Sequence, residues 1–300
     1  MSTTSPAVED RDTPQGVAFA LAAYLMWGGL PLYLKAVSHI PPTEVVAHRI
    51  MWSVPIAGLL LILLRRTRDL RAALSSPRTL AMGCVTAALI SVNWGIYVWS
   101  ISVGKTVDAA LGYYINPLFS IFLGAVLLGE RMSRAQMVAV ALAAFAVVVL
   151  TVESGSLPLA SIGLVLSWGF YAFFKKSLPI GPNQGFMLEV LILLPFALGY
   201  VIWLGPQSHF VPGTSDFWML MAGGVVTAVP LICYANGAKL VRLSTIGIMQ
   251  YIAPTLIFLV AVFVFGEEFD RARMIAFPII WLALIVYTTS MVRQMRARGR

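Results

Sequence analysis

Charged side chains are scarce in this sequence of 300 residues, since only 11% of them are Asp, Glu, Lys or Arg. Soluble domains usually contain about 25% charged residues. At the same time 59% of the residues are hydrophobic and the mean hydropathy is +0.85. A soluble protein of this composition would expose large apolar patches and aggregate. The composition therefore excludes a soluble globular protein and predicts an integral membrane protein.

Cysteine and histidine are also rare, with two and three residues respectively. Cys84 and Cys233 fall in apolar stretches at unrelated depths, so they indicate neither a disulfide nor a zinc site. His39, His48 and His209 are scattered along the chain and suggest no metal cluster. We therefore expect no metal ion and no cofactor.

Two glycine doublets, at 28–29 and 223–224, lie within long apolar stretches. They lack the strand-to-helix context of a nucleotide-binding loop, so we interpret them as flexible helix positions. The sequence also contains no nucleophile triad, phosphate loop or pair of carboxylates at a workable spacing. A membrane-embedded enzyme is accordingly the weakest functional alternative.

Long uncharged stretches occupy most of the chain. A helix needs about 20 apolar residues to cross a bilayer, with roughly 17–25 tolerated. Ten segments meet this requirement: 16–36, 44–64, 79–101, 107–129, 134–152, 158–176, 184–204, 216–238, 242–265 and 272–293. The fold class predicted is all-α and integral to the membrane, with a disordered tail at 1–15 and a basic tail at 294–300. Residues 1–15 lack the features of a signal peptide.

The net charge of +8 is explained by topology. With ten spans and both termini in the cytoplasm, sixteen of the 21 Lys and Arg residues fall on the cytoplasmic side and five on the outer side. This asymmetry satisfies the positive-inside rule. The Arg65–Arg71 run could also bind anionic lipid headgroups, but the topological interpretation is preferred. The basic excess therefore indicates contact with a lipid bilayer and no nucleic-acid partner.

The sequence contains two related halves. At an offset of 137 residues Tyr97 pairs with Tyr234, Pro117 with Pro254, and Gly129–Glu130 with Gly266–Glu267. Because five spans are an odd number, the second repeat enters the membrane from the opposite face. We therefore predict two inverted five-helix repeats, 16–152 and 158–293, an arrangement typical of secondary transporters.

Pro117 and Pro254 lie near the middle of the fourth and ninth spans. Proline removes a backbone donor and displaces the carbonyl four residues earlier, and such carbonyls must face protein, water or ligand in a membrane. Hinges that line a pathway and passive kinks that shape packing are both possible roles. Pro55 and Pro195, in the second and seventh spans, repeat the pattern more weakly.

Several segments together resemble one transporter family. They are WGGLPLYLK (27–35), EVVAHRIMWS (44–53), NWGIYVW (93–99), DAALGYYINPL (108–118), LGER (128–131), GSLP (155–158), VRLSTIG (241–247) and QYIAPTLIFLVAVFVFGE (250–267). The chain resembles the RarD-type branch of the EamA, or drug/metabolite transporter (DMT), superfamily. The resemblance implies a ten-helix permease of the bacterial inner membrane that moves metabolites or drug-like solutes, usually outward.

Aromatic and amide side chains within the spans are the candidates for a substrate pathway. They are Trp27, Asn93, Trp94, Tyr97, Tyr113, Asn116, Trp168, Tyr171, Tyr234, Asn236, Gln250 and Tyr251. Trp52, Trp203, Trp218 and Trp281 lie near predicted span ends and are assigned to the interfacial belt instead. An aromatic wall with a few amides suits an amphipathic solute better than a multiply charged one.

Four ionisable side chains inside the spans are candidates for coupling or gating. Glu189 is either a structural carboxylate, bonded to Lys175, Lys176 or a neighbouring helix, or a group that binds substrate or a proton. Glu44 and His48 are one helical turn apart and could form a polar gate with Arg49, or a plain interfacial cluster.

The function predicted is alternating-access transport of a small amphipathic metabolite or drug-like solute across the inner membrane, in the direction of export. A passive solute channel or facilitator is the main alternative. The sequence does not determine the substrate or the oligomeric state.

Overall fold

The computed structural model describes residues 13–129, 132–237, 240–241 and 243–298, and all regular structure within these ranges is helical. The α-helices are α1 Pro14–Ala36, α2 Pro42–Leu63, α3 Thr67–Leu74, α4 Pro77–Ser102, α5 Thr106–Leu128, α6 Arg134–Ser154, α7 Leu159–Lys176, α8 Pro182–Leu204, α9 Ser215–Gly237, α10 Leu243–Met249, α11 Ile252–Leu259 and α12 Arg271–Arg298. A 3₁₀ turn, Gly205–Gln207, follows α8, and a π-helical turn, Val260–Val264, follows α11.

Eight of these helices are long and apolar enough to cross a membrane, namely α1, α2, α4, α5, α6, α8, α9 and α12. A shorter apolar helix, Ile252–Val264, lies within the predicted ninth span. Helix α7 occupies the predicted sixth span. The all-helical membrane architecture is thus confirmed, while the count of ten spans remains a prediction.

Both predicted tails differ from the structure at their edges. Most of the predicted tail 1–15 lies outside the described residues, and α1 already begins at Pro14 with the Thr13 hydroxyl capping its first turn. Helix α12 continues to Arg298, so most of 294–300 is helical. Charged residues mark the point at which a helix leaves the hydrocarbon. The helix can continue beyond that point, because its backbone hydrogen bonds are made within the helix and persist in water.

The described residues place polar groups inside and apolar groups outside. Glu44, His48, Arg49, Asn93 and Glu189 are at most 3% exposed. Many large apolar side chains are instead exposed, and the most exposed of these include Phe196, Ile202, Trp203 and Phe263 at 74–76%. This distribution is expected where the surrounding medium is hydrocarbon, because buried partners must satisfy the polar groups.

Helix packing encloses a central space. Helix α2 packs against α8 and α9, α1 against α9 and α11, and α7 against α4 and α5. Helices α6 and α12 pack mainly against each other, and a buried cluster around Phe277 joins them to α5 and α11. The centre is therefore bordered by α1, α2, α4, α5, α7, α8, α9 and the α10–α11 segment.

The repeated Gly–Glu pair has a structural role that its sequence position did not reveal. Gly129 and Gly266 both have a positive φ, of 66° and 67°, which glycine adopts without strain. The Glu267 carboxylate accepts the first two N–H groups of α5, each at 2.9 Å. It therefore joins the second half of the chain to a helix start in the first half. Its counterpart Glu130 lies outside the described residues.

The two mid-span prolines occupy different local structures. Helix α5 continues through Pro117, whereas the helix before Pro254 is interrupted at residues 250–251. There the Tyr251 N–H donates to the Ile248 carbonyl, three residues back, at 3.2 Å. Pro254 cannot donate to the carbonyl of residue 250, which is consistent with the interruption. The sequence match therefore does not produce matching local backbones.

Candidate functional site

A cavity of about 570 Å³ occupies the centre of the bundle. Its wall takes residues from α1, α2, α4, α5, α7, α8, α9 and the α10–α11 segment. The volume is within the range of roughly 300–1,000 Å³ that small-molecule sites span. The cavity extends to Lys176 and Pro182, which border the α7–α8 loop, and Lys176 is exposed. We call this end of the bundle the α7–α8 end.

Ten of the twelve pathway candidates line this cavity. They are Trp27, Asn93, Trp94, Tyr97, Tyr113, Asn116, Trp168, Tyr171, Tyr234 and Gln250. Asn236 and Tyr251 are not part of the wall, and the Asn236 amide donates to the Ile232 carbonyl of its own helix at 2.8 Å. Pro117 and Pro254 line the cavity, whereas Pro55 and Pro195 do not.

Aromatic rings form two groups in the wall. In one group the ring centroid of Trp27 in α1 lies 5.7 Å from that of Tyr24 and 5.5 Å from that of Tyr234 in α9. The other group runs from Tyr97 through Tyr113 and Trp168 to Tyr171, with successive centroid distances of 5.4, 6.4 and 5.5 Å. Rings at these separations favour edge-to-face contact with one another and present flat apolar surfaces to a solute.

The amides of the wall differ in how fully their hydrogen bonds are satisfied. The Asn93 amide donates to Ser167 Oγ at 3.0 Å and to the Leu164 carbonyl at 3.3 Å, so it ties α4 to α7. By contrast, Asn116 Oδ1 and Tyr97 Oη are buried without a hydrogen-bond partner among the described residues. An unpaired buried polar group is costly, and both of these residues line the cavity.

Arg49 is the one cation in the middle of the wall among the described lining residues. Its Nε donates to Thr227 Oγ1 at 2.9 Å, and its guanidinium lies 5.3 Å from the Trp94 ring centroid. The side chain is 3% exposed. A charge at a bilayer centre costs about 2.5–3.5 kcal/mol on insertion scales, so its environment must offset a substantial penalty.

Glu189 has the ion-pair partner that the structural alternative anticipated. Lys175 Nζ lies 2.6 Å from Glu189 Oε1, and the Tyr171 hydroxyl donates to Oε2 at 3.3 Å. Glu189 is 1% exposed and is not part of the cavity wall, whereas Lys175 and Tyr171 are. The carboxylate therefore lies directly behind the wall at the α7–α8 end.

Glu44 and His48 belong to the opposite end of the bundle and do not form one group with Arg49. Glu44 accepts from Ser208 Oγ and from the His209 N–H, both at 2.7 Å, and pairs with His209 Nδ1 at 2.9 Å. Of the three residues suggested for a gate or an interfacial cluster, Arg49 donates to Thr227, whereas Glu44 binds the loop 205–214. Because this contact joins a helix to a loop that is distant in the chain, no spacing pattern in the sequence indicates it.

The histidines are gathered at this same end and are not scattered. His39 pairs with Asp216 at 3.1 Å and its ring lies 6.2 Å from that of His209. His48 packs on Phe210 with centroids 4.6 Å apart. The Phe210 ring also lies 5.8 Å from that of Trp52, so Trp52 packs inward and is not a simple interfacial residue. The loop 205–214 thus packs against the end of the bundle opposite to the α7–α8 end.

Sequence reasoning missed several wall residues. Lys175 and Lys176 were assigned to topology and to pairing with Glu189 but not to the wall, and Tyr24, Ser120, Thr227, Asn183 and Phe186 were not selected as pathway candidates. A single hydroxyl such as that of Thr227 inside an apolar helix carries no sequence signal, because hydroxyls commonly bond their own helix backbone. Their placement depends on how each helix is rotated about its axis.

Comparison with known proteins agrees with this architecture. A model of the EamA-like transporter family matches residues 14–152 and 156–289. A transporter of Vibrio cholerae is 40% identical over 295 residues, covering 97% of this chain and 98% of its own. Protein RarD of Escherichia coli K12 is 37% identical over 296 residues, covering 98% and 100%, and Protein RarD of Streptomyces exfoliatus is 41% identical over 284 residues, covering 94% and 90%.

A solved crystal structure shares the fold, with a TM-score of 0.58 and 18% identity over 90% of this chain and 96% of that one. The family and the names of the relatives indicate a transporter and not an enzyme. The apolar helices and the bacterial relatives together indicate a multi-pass protein of the inner membrane. The chain therefore belongs to the EamA-like transporter family, in its RarD-type branch.

Proposed function

We propose that this protein is a secondary transporter that exports a small amphipathic metabolite or drug-like solute by alternating access through the central cavity. The observation that carries the proposal is the cavity itself. Helices from both halves of the chain border it, aromatic side chains form a large part of its wall, and the exposed residues Lys176 and Pro182 line it at the α7–α8 end.

The pattern of helix packing supports two related halves. In the proposed repeats, the helices α1, α2, α4, α5 and α6 correspond in that order to α7, α8, α9, α10–α11 and α12. The packing of α1 against α9 then corresponds to the packing of α7 against α4. Likewise α1 on α11 corresponds to α7 on α5, and α2 on α9 corresponds to α8 on α4; all of these pairs are in contact. The matched segments 14–152 and 156–289 of the family have nearly the same bounds as the proposed repeats.

The two ends of the bundle support an inward-open state. The positive-inside rule assigns Lys175 and Lys176 to the cytoplasm, and these residues border the end that the cavity reaches. At the other end Glu44 binds the loop 205–214, and Phe210 packs between His48 and Trp52. In this proposal the loop 205–214 is the outer gate, and transport requires the Glu44–His209 contact to open.

Cysteine labelling tests this proposal without knowledge of the substrate. In a background with Cys84 and Cys233 replaced by serine, we expect Asn116→Cys to react with a small membrane-impermeant thiol reagent added from the cytoplasmic side. Reaction from the outer side should be at least about tenfold slower, because the gated state closes that route. The measurement is the labelled fraction over time in oriented membrane vesicles.

A matched control is Val92→Cys, since Val92 is 53% exposed on the surface of the bundle, which faces lipid in the membrane. A thiol in hydrocarbon does not ionise and therefore does not react. It should remain unlabelled from both sides. Equal and simultaneous labelling of Asn116→Cys from both sides would favour a channel. Labelling from the outer side alone would contradict the inward-open state.

A further inference from the structure

We propose that Arg49 binds an anionic group of the transported solute, so that the substrate class is small amphipathic monoanions such as aromatic carboxylates. This inference rests on the proposed function of the cavity. It adds a binding residue, a charge and an orientation for the solute, with the anionic group at Arg49 and the apolar body against the aromatic rings.

The first argument is that Arg49 lacks an ionic partner. The carboxylates of the described residues pair elsewhere or lie outside the cavity: Glu44 with His209, Asp108 with Arg273, Glu189 with Lys175, and Asp216 with His39. None of the described carboxylates lies within 4 Å of Arg49. Buried arginines are normally paired, because an isolated charge in a low-dielectric environment is unfavourable.

The second argument is the orientation of the guanidinium. Its Nε is held by Thr227, whose own hydroxyl donates to the Gly223 carbonyl at 2.7 Å. The Trp94 ring lies against one face of the group at 5.3 Å, a contact that favours a cation. Nη1 is buried without a hydrogen-bond partner among the described residues. A fixed guanidinium with a free edge is arranged to donate two parallel hydrogen bonds to a carboxylate.

The third argument is the charge of the whole wall. The charged residues that line the cavity are Arg49, Lys175 and Lys176, and no Asp or Glu lines it among the described residues. Lys175 is compensated by Glu189, which leaves a positive excess. A concave, low-dielectric wall of one sign concentrates ligands of the opposite sign. Tyr97 also lines the cavity, and its hydroxyl is buried without a partner in the described structure, so it could add a further hydrogen bond to the anion.

The size of the site limits the anion to a single compact charge on an apolar body. One central arginine can neutralise one carboxylate, and the remaining wall consists mainly of Trp, Tyr and aliphatic side chains. A second charge on the solute would have to be desolvated against those rings without compensation. The structure therefore assigns monoanions, in preference to neutral, cationic or multiply charged solutes.

The test compares matched acids and amides on the purified protein in nanodiscs. The probes are 3-phenylpropanoate and indole-3-propanoate and their primary amides, which share shape and differ in charge. Binding is measured as protection against thermal unfolding. We expect both acids to protect, with the amides roughly 10- to 100-fold weaker, the range expected when a charge-assisted hydrogen-bond pair is lost.

Variants then assign the preference to Arg49. Arg49→Gln should remove the advantage of the acids over the amides, and Arg49→Lys should retain part of it. The control Arg78→Gln alters an exposed arginine at the start of α4 and should leave the ratio of acid to amide affinity unchanged. If Arg49→Gln does not fold, the ratio of acid to amide affinity in the wild type and in Arg49→Lys still tests whether Arg49 binds the anion.

Equal protection by acids and amides, or protection by neither series, would overturn the assignment of Arg49. Because no gradient is needed, this readout is independent of transport. An acid that binds in this way but shows no saturable flux in proteoliposomes would contradict the proposed function and leave the binding site standing.

Discussion

Glu189→Gln is expected to destabilise the protein by about 3 kcal/mol. Removing one partner of a buried ion pair typically costs about 3–5 kcal/mol, because the other charge remains buried without compensation. Here that charge is Lys175, whose side chain is 21% exposed against 1% for Glu189, so we expect the lower end of the range. The free energy of unfolding in mixed micelles measures the effect.

Two further variants make the prediction specific. Glu189→Gln combined with Lys175→Gln should be more stable than Glu189→Gln alone, since the double change removes the uncompensated charge. Glu153→Gln is the matched control, because its contact with Arg271 is 4.0 Å long and largely exposed, and such pairs contribute about 0–1 kcal/mol. A loss of stability in Glu189→Gln no greater than in Glu153→Gln would contradict the prediction.

Transport by the same variants separates a structural role from a coupling role. If the pair is structural, the double variant should carry out counterflow of a binding acid at a rate within about twofold of wild type per folded molecule. Loss of gradient-driven uptake with preserved counterflow would instead assign proton coupling to Glu189. Loss of both activities in a stably folded variant would place it in substrate binding.

Gly224→Ala is expected to destabilise the protein by about 2 kcal/mol and to lower its yield in the membrane. A Cβ atom at this position would overlap the backbone carbonyl group of Trp52, so α9 would have to move away from α2. Overpacking of this kind costs about 1–3 kcal/mol or more, and the gain in helix propensity of up to about 1 kcal/mol offsets only part of it. Unfolding in mixed micelles again measures the change.

Gly29→Ala is the matched control, because no atom lies within 4 Å of the Cβ that it would add. This variant should be as stable as wild type or slightly more stable. Gly28→Ala should resemble Gly224→Ala more weakly, since its clash at 2.6 Å is with the Leu256 side chain, which can shift. If Gly224→Ala and Gly29→Ala have the same free energy of unfolding, α2 and α9 do not approach each other as closely as described.

These glycines also show why the sequence interpretation was incomplete. The doublets 28–29 and 223–224 were interpreted as flexible positions, yet Gly28 and Gly224 are sites of close helix contact while Gly29 has open space beside it. Two adjacent glycines have the same local sequence signal. What separates them is the 100° rotation between successive residues on a helix. It brings Gly28 but not Gly29 against a neighbour, and it turns Gly224 toward the Trp52 backbone and Gly223 toward Tyr33 and Arg49.

Many of the aromatic and amide residues of the cavity wall could be predicted because hydrocarbon imposes a simple rule on polar groups. Amides and tyrosines such as Asn116 and Tyr113 in the middle of an apolar helix must face protein or a wet space. By this rule ten of the twelve selected candidates line the cavity, and their role in transport remains a prediction. It did not extend to Asn236, because an amide can also satisfy itself on its own helix backbone, as the bond to Ile232 shows.

Span length, charge distribution and motifs are properties of the chain, and they were sufficient to identify a helical membrane transporter of the EamA-like family. The charge pairs, by contrast, are visible only in the folded bundle. Glu44 binds His209, 165 residues away, Glu189 binds Lys175, and Arg49 remains without an acid among the described residues. Spacing along a helix determines which residues share a turn and a depth. Pairing across the bundle depends on helix rotation and crossing, which are set by the packing of all the helices at once.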